Sequence, residues 1–163
     1  SITLLECLHK IIDSIFSTDK INQKWVTDMT YIYTVSDGWC YLSSILDLHS
    51  RKIIAWRLSR QMETRLVIET LQDALSKRTV ADGLIIHSDR GSQYTSKEYN
   101  DYLEHHSIRH SYSAKGCPYD NSCIESFHAT IKKECIYAET NVGYKDFQTC
   151  YDSIFKYIEG FYN

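Results

Sequence analysis

Proline and glycine are scarce in this chain, with Pro118 the one proline and six glycines among 163 residues. There is no proline-rich linker, internal repeat or low-complexity tract, so nothing in the composition divides the chain, and its length suits one domain with a sizeable core. An excess of positive charge is also missing. Eighteen Lys and Arg against 21 Asp and Glu give a formal net charge of −3, which argues against a free-standing nucleic-acid-binding module held by a general basic field. It does not argue against an enzyme whose clustered acids bind cations, because bound cations restore positive potential locally. No run approaches the eighteen or so consecutive apolar residues of a membrane span, and Ser1 to Phe16 lacks a basic start and small-residue cleavage site. Nothing in the sequence sends the chain through a membrane, and a cytoplasmic location follows as the expectation.

The six cysteines, Cys7, Cys40, Cys117, Cys123, Cys135 and Cys150, form no Cys-x-x-Cys pair. They read as reduced, mostly buried thiols rather than a disulfide framework. His105 and His106 with Cys117 and Cys123 invite a zinc site, but their irregular spacing does not match one.

What is present is strong periodicity. Leu4, Leu5, Leu8, Ile11, Ile12 and Ile15 predict an amphipathic N-terminal helix or linker over 1–21, leaving 22–163 as the main domain. Asn22–Tyr33, Trp39–Asp47 and Arg51–Ser59 read as three antiparallel strands joined by turns at Ser36-Asp37-Gly38 and Leu48-His49-Ser50. A helix over Glu63–Arg78 leads to a fourth strand at Leu84–His87, a strand–helix–strand unit that implies a right-handed parallel crossover. Thr95-Ser96-Lys97-Glu98 predicts a capping box opening a helix through His105. A short fifth strand at Ile108–Tyr112, a loop over Ser113–Asp120, a helix carrying Glu125 and a last helix over Lys145–Tyr162 complete the chain.

Three acids stand out. Asp89 ends the apolar run Leu84-Ile85-Ile86, at the carboxyl end of a strand, where open α/β sheets place their chemistry. Glu125 follows after 35 intervening residues, in a helix where Ile124, Phe127, Ile131 and Cys135 form one stripe and Glu125, His128 and Lys132 the next. Asp28 interrupts a β-branched and aromatic run where aspartate is disfavoured. Each has a plain alternative. Ser122-x-x-Glu125 can be a capping box, Asp89 can cap a turn at Arg90-Gly91, and Asp28 can pair with a buried arginine or backbone amides. Asp47, His87 and Tyr94 read as structural, and Gly91 as a residue freeing the backbone for a tight turn.

The segments Trp25-Val26-Thr27-Asp28, His87-Ser88-Asp89-Arg90-Gly91-Ser92-Gln93-Tyr94, Gly116-Cys117-Pro118-Tyr119-Asp120-Asn121 and Glu125-Ser126-Phe127 together resemble the catalytic core of bacterial insertion-sequence transposases, the group closest to retroviral integrases. The resemblance covers roughly Asn22 to Ala138, with four motifs in family order and at family spacing. It implies a ribonuclease H-like α/β fold: a mixed five-stranded sheet, helices on both faces, and the first and fourth strands adjacent. It also implies catalytic, metal-binding roles for Asp28, Asp89 and Glu125, with Mg²⁺ as cofactor, Mn²⁺ able to substitute, and two ions per site. Lys132 and Asn121 resemble residues that meet DNA or lie close to the site. The activity implied is exposure of DNA 3′ ends and their transfer into a target, by at least a dimer on DNA. A nuclease of the same fold without strand transfer, and a non-catalytic DNA- or protein-binding descendant, are the alternatives.

Overall fold

A computed structural model describes residues 18–113, 121–133 and 144–163, the side chains of Phe161 and Tyr162 excepted. The expected N-terminal helix and most of the loop before Asn121 lie outside these residues.

Alternation of β-branched and aromatic residues gives a long first strand, β1 (Lys24–Thr34), which turns at Gly38 into β2 (Gly38–Asp47) and then β3 (Ile53–Ser59). Gly38 sits at φ +74°, where a side chain would be strained, so the turn requires it. The order continues α1 (Thr64–Lys77), β4 (Ile85–Ser88), a single helical turn at Ser92–Thr95, α2 (Lys97–His105), β5 (Arg109–Tyr112), α3 (Ser122–Ile131) and α4 (Phe147–Tyr157), which runs on as a π-helical turn over Ile158–Tyr162. The strands lie in the order β3-β2-β1-β4-β5. β1, β2 and β3 pair antiparallel, while β4 joins β1 and β5 joins β4 in parallel. This is the expected mixed sheet, with the first and fourth strands adjacent.

Each face of the sheet carries its own core. On one, Val26, Ile32 and Leu42 pack with Ile124, Phe127 and Ile131 of α3 and Ile154 of α4. On the other, Trp25, Ile45 and Ala55 pack with Val67, Leu71 and Ala74 of α1 and Tyr99 and Leu103 of α2. Because side chains alternate along a strand, even-numbered β1 residues meet α3 and the odd ones from Trp25 meet α1 and α2. Cys40 and Cys150 are buried, and Cys123 is a half-buried thiol that accepts from the Arg51 guanidinium. Among the described residues no helix is long and apolar enough to cross a membrane.

Two helix starts differ from expectation. Thr95 ends the preceding helical turn, so Ser96 becomes the N-cap of α2 and its Oγ accepts the Tyr99 N–H. The last helix starts at Phe147, because Asp146 adopts extended backbone and caps it by accepting the Thr149 N–H. The Lys145 carbonyl is instead taken by the Ser36 N–H.

Candidate active site

The parallel register of β1 and β4 ends at Val26 opposite His87. Asp28, inside β1, and Asp89, just past the end of β4, each lie two residues further on. In α3 the seating of Ile124 and Phe127 on the sheet places Glu125 at the border of that contact. The three acids lie near enough for their charges to interact. Burial pushes the Asp89 carboxyl above the usual range, the Gly91 N–H pulls it back, and the Asp28 charge raises it further. Glu125 is likewise raised, by burial and then by Asp28 and Asp89. Such mutual repulsion is the behaviour of carboxylates that share a site.

The alternatives resolve differently for each acid. Asp89 does form the turn: its Oδ1 accepts the Gly91 N–H at 2.7 Å. Gly91 lies in the tight turn expected for it, with an ordinary φ of −58°, so left-handed freedom is not what the turn needs from it. It is close approach, since a Cβ there would stand 2.9 Å from Asp89 Oδ1. Glu125 closes no capping box, because Ser122 is already the first residue of α3 and Asn121 holds the cap position without a side-chain cap bond. Asn121 is buried, and its Oδ1 has no hydrogen-bond partner among the described residues. Asp28 is buried beside a histidine rather than an arginine, with His128 Nδ1 3.7 Å from its Oδ2.

His128 was given no role by sequence reasoning. Grouped with Glu125 and Lys132 on the stripe beside the apolar one, it is buried, with Nε2 3.2 Å from Ser44 Oγ. Asp28 and Ser44 are register partners, and two such small polar side chains leave room for an imidazole that a leucine pair would fill. Lys132 sits at the end of α3, half-buried, with Nζ 5.5 Å from the centre of the Tyr31 ring. Burial lowers its pKa, and the Asp28 charge works against that. Asp47, His87 and Tyr94 are structural as expected. Asp47 accepts from Ser50 and Asn22, His87 meets the Ser111 and Ser113 hydroxyls, and Tyr94 is core.

A polar relay behind Asp89 was also missed. Asn100 Nδ2 donates to the Tyr94 and Ser96 carbonyls, so its Oδ1 is the acceptor that faces His110 Nδ1 at 2.8 Å. His110 Nδ1 therefore carries a proton, and Nε2 lies 2.7 Å from Ser88 Oγ, which also lies 2.9 Å from the Asp89 carbonyl. Burial favours the neutral form, because it pushes the imidazole down to about 4. The relay anchors the end of β4 immediately before Asp89. His110→Leu is expected to cost about 0.5–1.5 kcal/mol for each of the two bonds removed, since Ser88 Oγ keeps the Asp89 carbonyl and Asn100 Oδ1 the Tyr112 hydroxyl, measured by urea unfolding, with His110→Gln recovering most of the loss. The pH sign follows from the lowered value. The unfolded chain protonates first, near pH ~6.5, so this contribution is full above that pH and is lost as pH falls toward the folded value.

Among the described residues, no set of three or more His, Cys, Asp or Glu already converges tightly enough to hold an ion. The donor chemistry nevertheless fits magnesium, which favours carboxylate oxygen, keeps waters and is commonly held by one or two carboxylates plus substrate phosphate. A concavity of about 690 Å³ lies elsewhere, against β3 and α1, lined by Trp56, Arg57, Glu69, Asp73, Tyr151 and Phe155. Arg57 is bound there by Asp73 and Glu69 at 2.6 and 3.0 Å. That groove contains none of the three acids.

Two family models described as the integrase core domain match residues 18–118 and 106–160. The chain is 41% identical over 155 residues to the transposase InsF for insertion sequence IS3A of Escherichia coli K12, covering 95% of this chain and 52% of that protein. It is 40% identical over 153 residues to the transposase for insertion sequence element IS904 of Lactococcus lactis, covering 94% of this chain and 59% of the relative. The chain thus spans about half the length of the curated relatives it matches. Among solved structures, the HTLV-2 integrase catalytic core domain in complex with magnesium superposes with a TM-score of 0.62 at 16% identity, covering 86% of this chain and 87% of that one. A chain in the simian T-cell lymphotropic virus intasome in complex with PP2A regulatory subunit B56 gamma gives 0.67 at 16% identity, over 83% of this chain and 48% of that one. These likenesses establish the ribonuclease H-like fold.

Proposed function

Since the chain belongs to the integrase core domain family, we propose that it is the catalytic core of a transposase, a divalent-metal-dependent polynucleotidyl transferase that exposes DNA 3′ ends and joins them to a target. The observation that carries this reading is the electrostatic coupling of Asp28 on β1, Asp89 just past β4 and Glu125 on α3. The relatives' transposase names and the fold shared with integrases support it. Asp28, Asp89 and Glu125 are the residues that would hold Mg²⁺ or Mn²⁺, two ions in the fullest form. Bound there, such ions polarise both the attacking and the departing oxygen of a phosphodiester.

The chain's own groups divide the remaining work. Asp28 is kept in place by the buried His128, and Asp89 is held by the Gly91 N–H in front and the Ser88–His110–Asn100 relay behind. Lys132 supplies a cation beside the acids for a DNA phosphate. Asn121, buried at the start of the Glu125 helix, shapes the site from below. The partners are DNA, as element ends and as target, and a second copy, because two ends must be held together. The setting is the cytoplasm.

The test is incubation with labelled end-sequence DNA and Mg²⁺ or Mn²⁺. Joined products support the proposal, and cleavage without joining favours a nuclease. A binding measurement separates both from a non-catalytic descendant. The raised carboxyls of Asp89 and Glu125 bind protons more tightly in the folded chain than in the unfolded one. Their contribution to stability is therefore full below the ordinary carboxylate range and is lost as pH rises through the folded values. Divalent ions relieve that repulsion, so Mn²⁺ is expected to raise the melting temperature more at neutral than at acid pH. Ion at a hundredfold over its dissociation constant gives about 2.7 kcal/mol, and no shift at millimolar ion would count against a metal enzyme.

A further inference from the structure

Beyond the acids, the β1–β2 hairpin carries three aromatic side chains half in solvent. Tyr31, Tyr33 and Trp39 are 58, 48 and 52% exposed. Tyr33 and Trp39 are register partners, and the Trp39 ring meets both tyrosines at centroid separations of 5.3 and 5.4 Å, in tilted to edge-on contacts. The rings therefore hold one another in place while keeping surface free, a costly arrangement for large apolar groups unless something covers them.

Two further features say what that is. Lys132 belongs to α3, on the other face of the sheet, yet its ammonium lies over Tyr31. Toward β4, β1 is strand-paired only at Lys24–Val26, and beyond that only Thr34 bridges to Tyr144. Among the described residues the intervening edge has no strand neighbour, so a lysine side chain can reach round it. The same cation feels the Asp28 charge, and Tyr31 stands three residues from Asp28, about 10 Å along the strand. Tyr31 and Asp28 point to opposite faces of β1, and Lys132, reaching round the open edge, lies by both.

We propose that Tyr31, Tyr33 and Trp39 form a stacking platform for an unpaired segment of DNA next to the scissile phosphate, with Lys132 at its backbone. This rests on the DNA-transferring reading above and adds to it the form in which the strand is held. Aromatic rings bind bases through their flat faces, which are occupied in a duplex and free in an opened strand, and such stacking tolerates any sequence. A chain of net charge −3 has little general attraction for DNA, so ring stacking and one cation at the site carry proportionately more of the binding.

The experiment is fluorescence anisotropy of a short labelled oligothymidylate with the chain, in low salt and EDTA so that the acids hold no ion. Trp39→Ala is expected to weaken binding about 5- to 150-fold, the range of one base–aromatic stack, and Tyr31→Ala to act in the same direction. Trp39→Phe restores most of the affinity. Equal affinity of the alanine variants and the parent chain overturns the platform. So does preference for a blunt hairpin duplex over the single strand, and so does a dimer that Trp39→Ala converts to monomer in sedimentation while oligonucleotide affinity stays constant. Loss of binding in Trp39→Ala alongside full DNA-joining activity in Asp89→Asn would leave the platform standing and remove the catalytic reading. The reverse pattern would remove the platform alone.

Discussion

Asp89→Asn is expected to lower DNA cleavage and joining by about a thousandfold or more, the several kcal/mol that a lost metal-held charge represents in a barrier. Asparagine is the informative replacement because its Oδ1 can still accept the Gly91 N–H, as Asp89 does at 2.7 Å. The turn before Ser92 therefore persists, and Gly91, which lies too close to Oδ1 to carry a Cβ, is not disturbed. Only the charge is removed. It is a charge held under strain, raised by burial and by Asp28, and removing it also relaxes Glu125, which feels Asp89. In the absence of metal the variant should therefore be no less stable than the parent at neutral pH. It should also lose the stabilisation that Mn²⁺ gives the parent chain. Single-turnover assays on labelled DNA, paired with thermal melts with and without Mn²⁺, read both effects. Full activity in the variant would end the catalytic assignment.

The second large effect is on the fold. Phe127→Ala is expected to destabilise the chain by about 3–5 kcal/mol. Phe127 is 2% exposed and packs with Val26, Leu42, Ile131 and Ile154 where α3 meets the sheet. Truncation leaves a cavity that rigid strands on one side and α4 on the other cannot close. For a domain of this size the melting temperature should fall by about 6–20 °C. Because Glu125 lies two residues before Phe127 on the same helix, activity should drop even at temperatures where the variant stays folded. Ser126→Ala, at an exposed position between them, is the control, within about 0.5 kcal/mol of the parent. A loss below about 1 kcal/mol for Phe127→Ala would mean that α3 does not depend on this contact.

Much of this architecture was written into local pattern. Alternation over Trp25–Tyr33 and the 3.6-residue stripe of Val67, Leu71 and Leu75 specify a strand and a helix because each period matches one backbone geometry. Ser36-Asp37-Gly38 fixes a tight reversal because glycine alone takes φ +74° without strain. The acids were legible as a motif, since their spacing along the chain survives whatever the fold does. The caps were less so: Thr95 and Ser96 offer the same hydroxyl chemistry, and a helical turn at Ser92–Thr95 settled which of them caps α2.

The sequence by itself determined the elements, their order and the three candidate acids, because these depend on residue type and on neighbours a few positions away. The tertiary structure alone decided that His128 turns inward between Asp28 and Ser44 and that Asn100, His110 and Ser88 join behind Asp89. It alone decided, too, that Lys132 reaches Tyr31 around an open strand edge. Each of these pairs residues from different elements, 10 to 101 positions apart by their numbers. No periodicity records such meetings, since they exist only once the strand order β3-β2-β1-β4-β5 has set which side chains share a face.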